Sequence, residues 1–223
     1  MVPFGRLVAL AGLLLLPAAP ARTADLLDYW IAAQTGLHTW TADIVQTRNF
    51  KTLAQPLVSN GKVWIAIPDR FRWELGQPPQ TIALRQPAEL MIVYPRLKRV
   101  EKYSLEAGQT GPWRDALALL EASFPRSRAN LEAQFQILSI TQTNGVANLS
   151  LQPRSAAARK FIARLEISFR ADDFSPVGTA LTFSDGSSLS NVFSHHVVNP
   201  PLEPQLFEVK MEPDFTIVEP LKP

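Results

Sequence analysis

Apolar residues occupy every second position in two short runs on either side of Pro68 and Asp69. The runs are Val63, Ile65, Ile67 and Phe71, Trp73, Leu75. Strict alternation is the pattern of a strand with one buried face, and a Pro-Asp pair between two such runs is typical of a turn. We therefore predict a β-hairpin over residues 61–78. Its apolar, aromatic face must be covered by the protein's own core or by a ligand.

In much of the remaining chain, apolar and polar residues also alternate with the two-residue period of a strand. The predicted strands cover residues 44–51, 58–67, 70–75, 81–84, 89–94, 99–105, 135–141, 146–151, 164–170, 177–183 and 188–197. Asn144-Gly145 and Asp185-Gly186 lie between neighbouring strands, and an Asn-Gly pair favours a tight turn in which both central residues have positive φ. About ten strands of this kind close most naturally into one curved antiparallel sheet or barrel.

Apolar residues recur at helical spacing in three places. Residues 25–34 have this spacing and are followed by Gly36, and a shorter helix is predicted over residues 129–134. The third stripe ends before Pro125 and consists of Trp113, Leu117, Leu120 and Phe124. Because this helix interrupts a series of strands, it is a candidate lid, although a core helix has the same pattern.

The N-terminus has the pattern of a secretory signal peptide. Arg6 precedes an apolar stretch over residues 7–16, and small residues stand at Ala19 and Ala21. The apolar stretch is too short to span a bilayer. We expect cleavage after Ala21, so that residues 22–223 form a single exported domain.

Composition excludes several classes of function. The chain has no cysteine, which removes disulfides, thiolate metal sites and cysteine nucleophiles. Its 22 basic and 20 acidic residues leave no basic surplus for a nucleic-acid partner. The sequence contains no nucleophile elbow, phosphate-binding glycine loop or dinucleotide fingerprint. We therefore expect no catalytic residue and no cofactor. We also expect no metal site, because His195 and His196 are adjacent and so point to opposite faces of a strand.

Several segments, taken in order, resemble the LolA family of periplasmic lipoprotein carriers. The family's Ala-x-Phe-x-Gln-Thr strand corresponds to Ala42-Asp43-Ile44-Val45-Gln46-Thr47, and its Gly-x-Leu-Trp-Val to Gly61-Lys62-Val63-Trp64-Ile65. The further matching segments are Pro68-Asp69-Arg70-Phe71-Arg72-Trp73, Gln77-Pro78, Val93-Tyr94-Pro95, Leu151-Gln152-Pro153 and residues 207–218. The resemblance covers nearly the whole chain after the signal peptide.

This resemblance implies an α+β protein, mainly β, in which helices cover the apolar cavity of an incomplete antiparallel β-barrel, or half-barrel. It implies a monomeric periplasmic carrier that takes an acylated lipoprotein or other lipid from an inner-membrane exporter to an outer-membrane acceptor. At about 0.8 kcal/mol per methylene, a long acyl chain exposed to water costs on the order of 10 kcal/mol, which such a carrier avoids. The candidate cavity residues are Trp64, Phe71, Trp73 and Met91. The candidate lid residues are Ile67, Trp113, Leu117, Leu120 and Phe124.

One position departs from the pattern of the family. Well-studied members have an arginine before the proline of the hairpin turn, where it holds the lid closed, and Ile67 occupies that position here. Either the lid closes through apolar contacts alone, or the protein carries another acylated cargo for a dedicated exporter. An enzyme or a sensor that uses the half-barrel to bind a hydrophobic ligand also remains open, because a fold does not fix a function. The aromatic residues fit an ordinary core as well as a lipid cavity.

Overall fold

The computed structural model describes residues 23–105, 121–209 and 212–220, and twelve strands of this part form one sheet. The strands are β1 Thr39–Asn49, β2 Leu57–Ala66, β3 Arg70–Leu75, β4 Thr81–Arg85, β5 Glu89–Tyr94, β6 Arg99–Ser104, β7 Phe135–Thr143, β8 Val146–Pro153, β9 Ile162–Arg170, β10 Pro176–Phe183, β11 Ser188–Val198 and β12 Thr216–Val218. Their order across the sheet is β12-β6-β5-β4-β3-β2-β1-β11-β10-β9-β8-β7. All pairs are antiparallel except β12 with β6. The sheet is open, with β12 and β7 at its edges, which confirms the predicted mainly β half-barrel.

Helices are few in the described part of the chain. They are α1 Thr23–Gln34, α2 Arg128–Gln134 and α3 Ala156–Arg159, with 3-10 turns at Pro95–Leu97 and Pro204–Phe207. Ser127 caps α2, since its Oγ accepts a hydrogen bond of 3.1 Å from the backbone N of Asn130. In the described ranges no helix has the length and apolar character needed to cross a membrane. The predicted signal peptide, residues 1–21, lies outside the described residues.

The predicted hairpin is confirmed by the pairing of β2 with β3. Val63 lies opposite Trp73, and Ile65 lies opposite Phe71, so that all four apolar side chains share one face. The predicted Asn-Gly turn between β7 and β8 is also present, with φ of 52° at Asn144 and 78° at Gly145. The alternation and the turn chemistry therefore set the local structure over most of the sheet.

One face of the sheet, which we call the inner face, carries two apolar clusters. The first covers β7 to β10 and is packed under α1 and α2, where the Trp30 ring stacks on Phe169 with centroids 4.8 Å apart. The second cluster covers β1 to β5 around Trp40. The segment of residues 121–125 lies between them, because Ala122 packs in the first cluster and Phe124 against the second.

The opposite, outer face has its own cluster on β4 to β6. The C-terminal segment covers this cluster through Val209 and Phe215. Arg72 anchors the segment, since its Nη1 donates to the backbone oxygen of Leu206 at 3.1 Å. Gln86 Nε2 donates to the backbone oxygen of Phe207 at 2.8 Å. The outer face of these strands is therefore closed by the chain itself, whereas the inner face retains free volume.

Candidate functional site

A cavity of about 310 Å³ lies on the inner face between the β2–β3 hairpin and residues 121–135. Its apolar wall is formed by Ile65, Ile67, Pro68, Phe71, Ala122, Phe124, Pro125, Leu131 and Phe135. This volume is at the lower end of the range of small-molecule sites, which are typically lined by apolar and aromatic side chains with a few polar groups. We call it the larger cavity.

A second space of about 110 Å³, the smaller cavity, lies next to the larger one. It is lined by Trp40, Ile65, Trp73, Ser123, Phe124, Leu165, Thr179, Leu181, Asn191 and Phe193. Only Ile65 and Phe124 line both cavities among the described residues. The Phe124 ring packs against Trp40 with centroids 5.7 Å apart. Phe124 therefore acts as a partition, and its displacement would join the two spaces.

The polar part of the smaller cavity's wall is hydrogen-bonded. Gln46 Nε2 donates to Asn191 Oδ1 at 2.9 Å, and Asn191 Nδ2 donates to Thr179 Oγ1 at 3.0 Å. Both amide side chains are buried. Buried polar groups are tolerated where their hydrogen bonds are satisfied. The network therefore fixes the positions of β1, β10 and β11 next to the cavity at little cost in desolvation.

An ion pair joins the sheet to the segment of residues 121–125. Arg85, the last residue of β4, lies opposite Phe71, and its Nη1 is 2.7 Å from Glu121 Oε1. Both charged residues line the larger cavity. The Arg85 side chain is 15% exposed and that of Glu121 is 40% exposed. The buried Nε of Arg85 has no hydrogen-bond partner among the described residues.

Four of the predicted site residues lie at the cavities. Ile67 and Phe71 line the larger cavity, Trp73 lines the smaller one and Phe124 lines both. Phe124 is not helical but lies in a turn, in which its backbone N donates to the oxygen of Glu121 at 3.0 Å. The other predicted lid residues, Trp113, Leu117 and Leu120, lie outside the described residues.

Two of the predicted cavity residues lie on the outer face instead. Trp64 alternates with the inward-facing Val63 and Ile65, and Lys62 Nζ lies 5.6 Å from the centroid of its ring. Met91 packs in the outer cluster with Val93. Since successive side chains of a strand point to opposite faces, neither Trp64 nor Met91 lines either cavity.

Several cavity residues were not among the predicted ones. They are Trp40, Leu165, Leu181 and Phe193 in the smaller cavity, and Leu131 and Phe135 in the larger one. Trp40 could have been found, because it shares its alternation with Ala42 and Ile44 and β1 begins at Thr39. Phe193 gave a weaker signal. The buried position two residues before it is Asn191, and the apolar Val192 between them is exposed.

The Tyr103 hydroxyl, beside the second cluster, has a raised pKa. Burial raises the pKa of Tyr103 to about 12, assisted by the hydrogen bond of 3.0 Å from its hydroxyl to Glu101 Oε2. His195 Nδ1 lies 3.0 Å from Asp43 Oδ2 at an exposed position. Within the described ranges, no three histidine or carboxylate side chains are grouped closely enough to hold a metal ion.

Solved structures are similar to this one at low sequence identity. An uncharacterized conserved protein from Thermus thermophilus is 11% identical, with a TM-score of 0.50 over 88% of this chain and 98% of its own. A putative outer membrane lipoprotein-sorting protein domain from Vibrio parahaemolyticus is 15% identical, with a TM-score of 0.46 over 82% and 94%. A LolA superfamily protein from Nitrosomonas europaea is 10% identical, with a TM-score of 0.43 over 85% and 99%. No curated protein matches the sequence.

A family model identifies the chain directly from its sequence. The model described as "Outer membrane lipoprotein carrier protein LolA" matches residues 35–210. This range contains the hairpin and every described residue that lines the two cavities. Because the match covers most of the sequence, the chain belongs to the LolA family.

Proposed function

We propose that this protein is a periplasmic carrier, which holds the acyl chains of a lipoprotein or a related lipid on the inner face of its sheet. The observation that carries the proposal is the pair of apolar cavities, which only Ile65 and Phe124 separate among the described residues. Membership of a family of outer membrane lipoprotein carriers supports such a cargo. The carrier receives its cargo from an inner-membrane exporter, releases it to an outer-membrane acceptor and catalyses no reaction.

The segment of residues 121–125 is the described part of the proposed lid. Ile67 cannot form the hydrogen bonds of the family's arginine, but the Arg85–Glu121 pair joins the same region to the sheet. A partly exposed ion pair contributes about 1 kcal/mol or less. A contact of this strength keeps an unloaded lid closed, yet cargo or a partner protein can open it.

Native mass spectrometry of protein purified from the periplasm tests the carrier proposal. We expect a population whose mass is increased by an acylated species. Ala122 is buried and lines the larger cavity, so Ala122→Phe should fill part of the cavity and reduce this population. Ala129→Phe, at an exposed position of α2, is the matched control and should retain the cargo.

Circular dichroism establishes that both variants are folded before their cargo is compared. Wild-type protein that carries no acylated species, and that extracts none from lipoprotein-loaded inner-membrane vesicles, would contradict the carrier function. Equal loading of the two variants would remove the larger cavity from the site.

The same spectra separate two kinds of cargo. A mass increase equal to a lipidated polypeptide supports a lipoprotein cargo. A mass increase equal to a single lipid supports the alternative. In that case the protein carries another acylated molecule, which a dedicated exporter supplies. Ile67 favours the alternative, because this chain lacks the family's lid arginine at the hairpin turn.

A further inference from the structure

The larger cavity combines an apolar wall with an arginine that is nearly buried. Arg85 is on the inner face, beside Phe71, and its Nη1 lies 2.7 Å from Glu121 Oε1. Its Nε lies buried without a hydrogen-bond partner among the described residues. An unpaired buried donor is costly, and more so on a charged group. Such a group is therefore a candidate for contact with a ligand.

The free edge of Arg85 has the geometry that anions select. A guanidinium presents five N–H donors in a planar fork, and carboxylates and phosphates accept from two of them at once. Glu121 lies beside Nη1, and the buried Nε keeps a donor that no described residue uses. Lysine could not offer this planar edge.

Other charges at the larger cavity add to the positive potential. Arg70 and Arg126 line it together with Arg85, whereas the acidic residues of its wall are Asp69 and Glu121. Neither Arg70 nor Arg126 forms an ion pair within the described part of the chain, so both contribute unneutralised charge. Asn130 and Gln134 supply further uncharged donors from α2.

We infer that the larger cavity selects acyl lipids with an anionic group, a carboxylate or a phosphate, close to the chain. The chain packs against Ile65, Phe71 and Leu131, and the anionic group accepts from the Nε edge of Arg85 in competition with Glu121. This inference rests on the proposed function and narrows it to a class of cargo. It also gives Glu121 a second role, because the arriving anion weakens the bond between the lid and the sheet.

Calorimetric titration with three probes of equal chain length tests the inference. The probes are hexadecanoate, hexadecyl phosphate and hexadecanol, and inorganic phosphate and acetate are titrated alone. We expect both anionic lipids to bind about tenfold more tightly than hexadecanol, which is the preference that one charge-assisted hydrogen bond supplies. Inorganic phosphate and acetate should show no measurable binding, because they cannot use the apolar wall.

Substitutions at Arg85 and Glu121 separate the anion site from the cavity. Arg85→Gln should abolish the preference for the anionic lipids over hexadecanol, whereas Arg85→Lys should retain part of this preference. Glu121→Gln should increase the affinity for both anionic lipids, because it removes a competing charge. Arg164→Gln changes an exposed arginine of β9, whose Nη1 lies 3.8 Å from Glu166, and should behave as wild type.

The possible results distinguish this inference from the carrier function. Equal binding of hexadecanol and the anionic lipids, or a preference that persists in Arg85→Gln, would overturn the inference and leave the carrier intact. If inorganic phosphate binds as tightly as hexadecyl phosphate, the ligand of the site is a free anion and not an anionic lipid, which would overturn the inference. If none of the three lipids binds, the carrier function fails and the inference fails with it. If Arg85→Gln alone does not fold, the double variant Arg85→Gln with Glu121→Gln takes its place, because it removes the unpaired carboxylate of Glu121 as well.

Discussion

Truncation of Phe124 to alanine should join the two cavities and change the length of acyl chain that the protein accepts. Phe124 and Ile65 are the described residues common to both walls, and the cavities measure about 310 and 110 Å³. Removal of the aromatic ring opens the partition and leaves the rest of both walls in place. A chain that now ends at the partition can then continue toward Trp73 and Phe193.

The size of the effect follows from burial of methylenes. Each methylene that enters apolar surroundings contributes about 0.8 kcal/mol, which is about fourfold in affinity. If the joined cavity accepts two more carbons, the affinity for the longer chain rises about 15-fold relative to wild type. The substitution also costs stability. Because Phe124 is only partly buried beside existing cavities, we expect about 1–2 kcal/mol rather than the 3–5 kcal/mol of a well-packed phenylalanine.

A homologous series of saturated fatty acids, from decanoic to octadecanoic acid, measures the effect by calorimetry. In wild type the affinity should rise with chain length and then reach a plateau, and in Phe124→Ala the plateau should occur at a longer chain. Phe161→Ala removes the same ring from an exposed position, 57% accessible, and should not move the plateau. A plateau at the same length in both proteins would refute the role of Phe124 as a partition.

Three further predictions concern the framework of the site. Gly61→Ala places a Cβ 1.9 Å from the backbone oxygen of Glu74 and should cost about 1–3 kcal/mol or more of the free energy of unfolding in urea. Trp30→Ala removes the stack on Phe169 and should cost about 3–5 kcal/mol in the same assay. The pKa of Tyr103 is raised to about 12, so its stabilising contribution is complete below its unfolded pKa of about 10 and is lost as pH rises toward 12. Tyr103→Phe should remove this part of the alkaline loss of stability.

Two of these predictions have a matched control in the same chain. A Cβ at Gly36 meets no atom within 4 Å, so Gly36→Ala should be tolerated where Gly61→Ala is not. Tyr29 is a neighbour of Trp30 on α1 and is 63% exposed, so Tyr29→Ala should have little effect. Equal losses in either pair would contradict the packing described. An unchanged alkaline transition in Tyr103→Phe would assign that transition to another group.

The sequence predicted most of the sheet because its strands depend on local patterns. In β3 and over residues 164–170 of β9 apolar and polar side chains alternate strictly. In these two strands and in β2 the predicted and observed boundaries differ by at most two residues. β12 was missed because it has three residues, too few for alternation to show, and its position depends on pairing with the distant β6. α3 was missed inside a polar connection, where Ser155 caps it by accepting from the backbone N of Ala158 at 3.2 Å.

The site was harder to predict because it depends on which face of the sheet is covered. Trp64 and Met91 are large apolar residues, but the alternation of β2 places Trp64 on the opposite face from Val63. A large side chain on the outer face is stable here because distant residues cover it, as Phe215 covers the cluster that contains Met91. Coverage of this kind has no signature in the local sequence. The same holds for Arg85 and Glu121, which lie far apart in the chain.

Under the proposed function, the unequal exposure of Arg85 and Glu121 makes the loaded state of the lid more favourable than the empty open state. When the lid opens, the more exposed Glu121 passes into water at little cost. Arg85, which is 15% exposed with Glu121 in place, loses its carboxylate partner beside the apolar wall of the larger cavity. A buried charge without a partner is unfavourable, so the open carrier without cargo is penalised. An anionic lipid would remove this penalty by pairing with Arg85. Ile67 and Arg85 both line the larger cavity, so under the proposed function the lid contact and the cargo share one space.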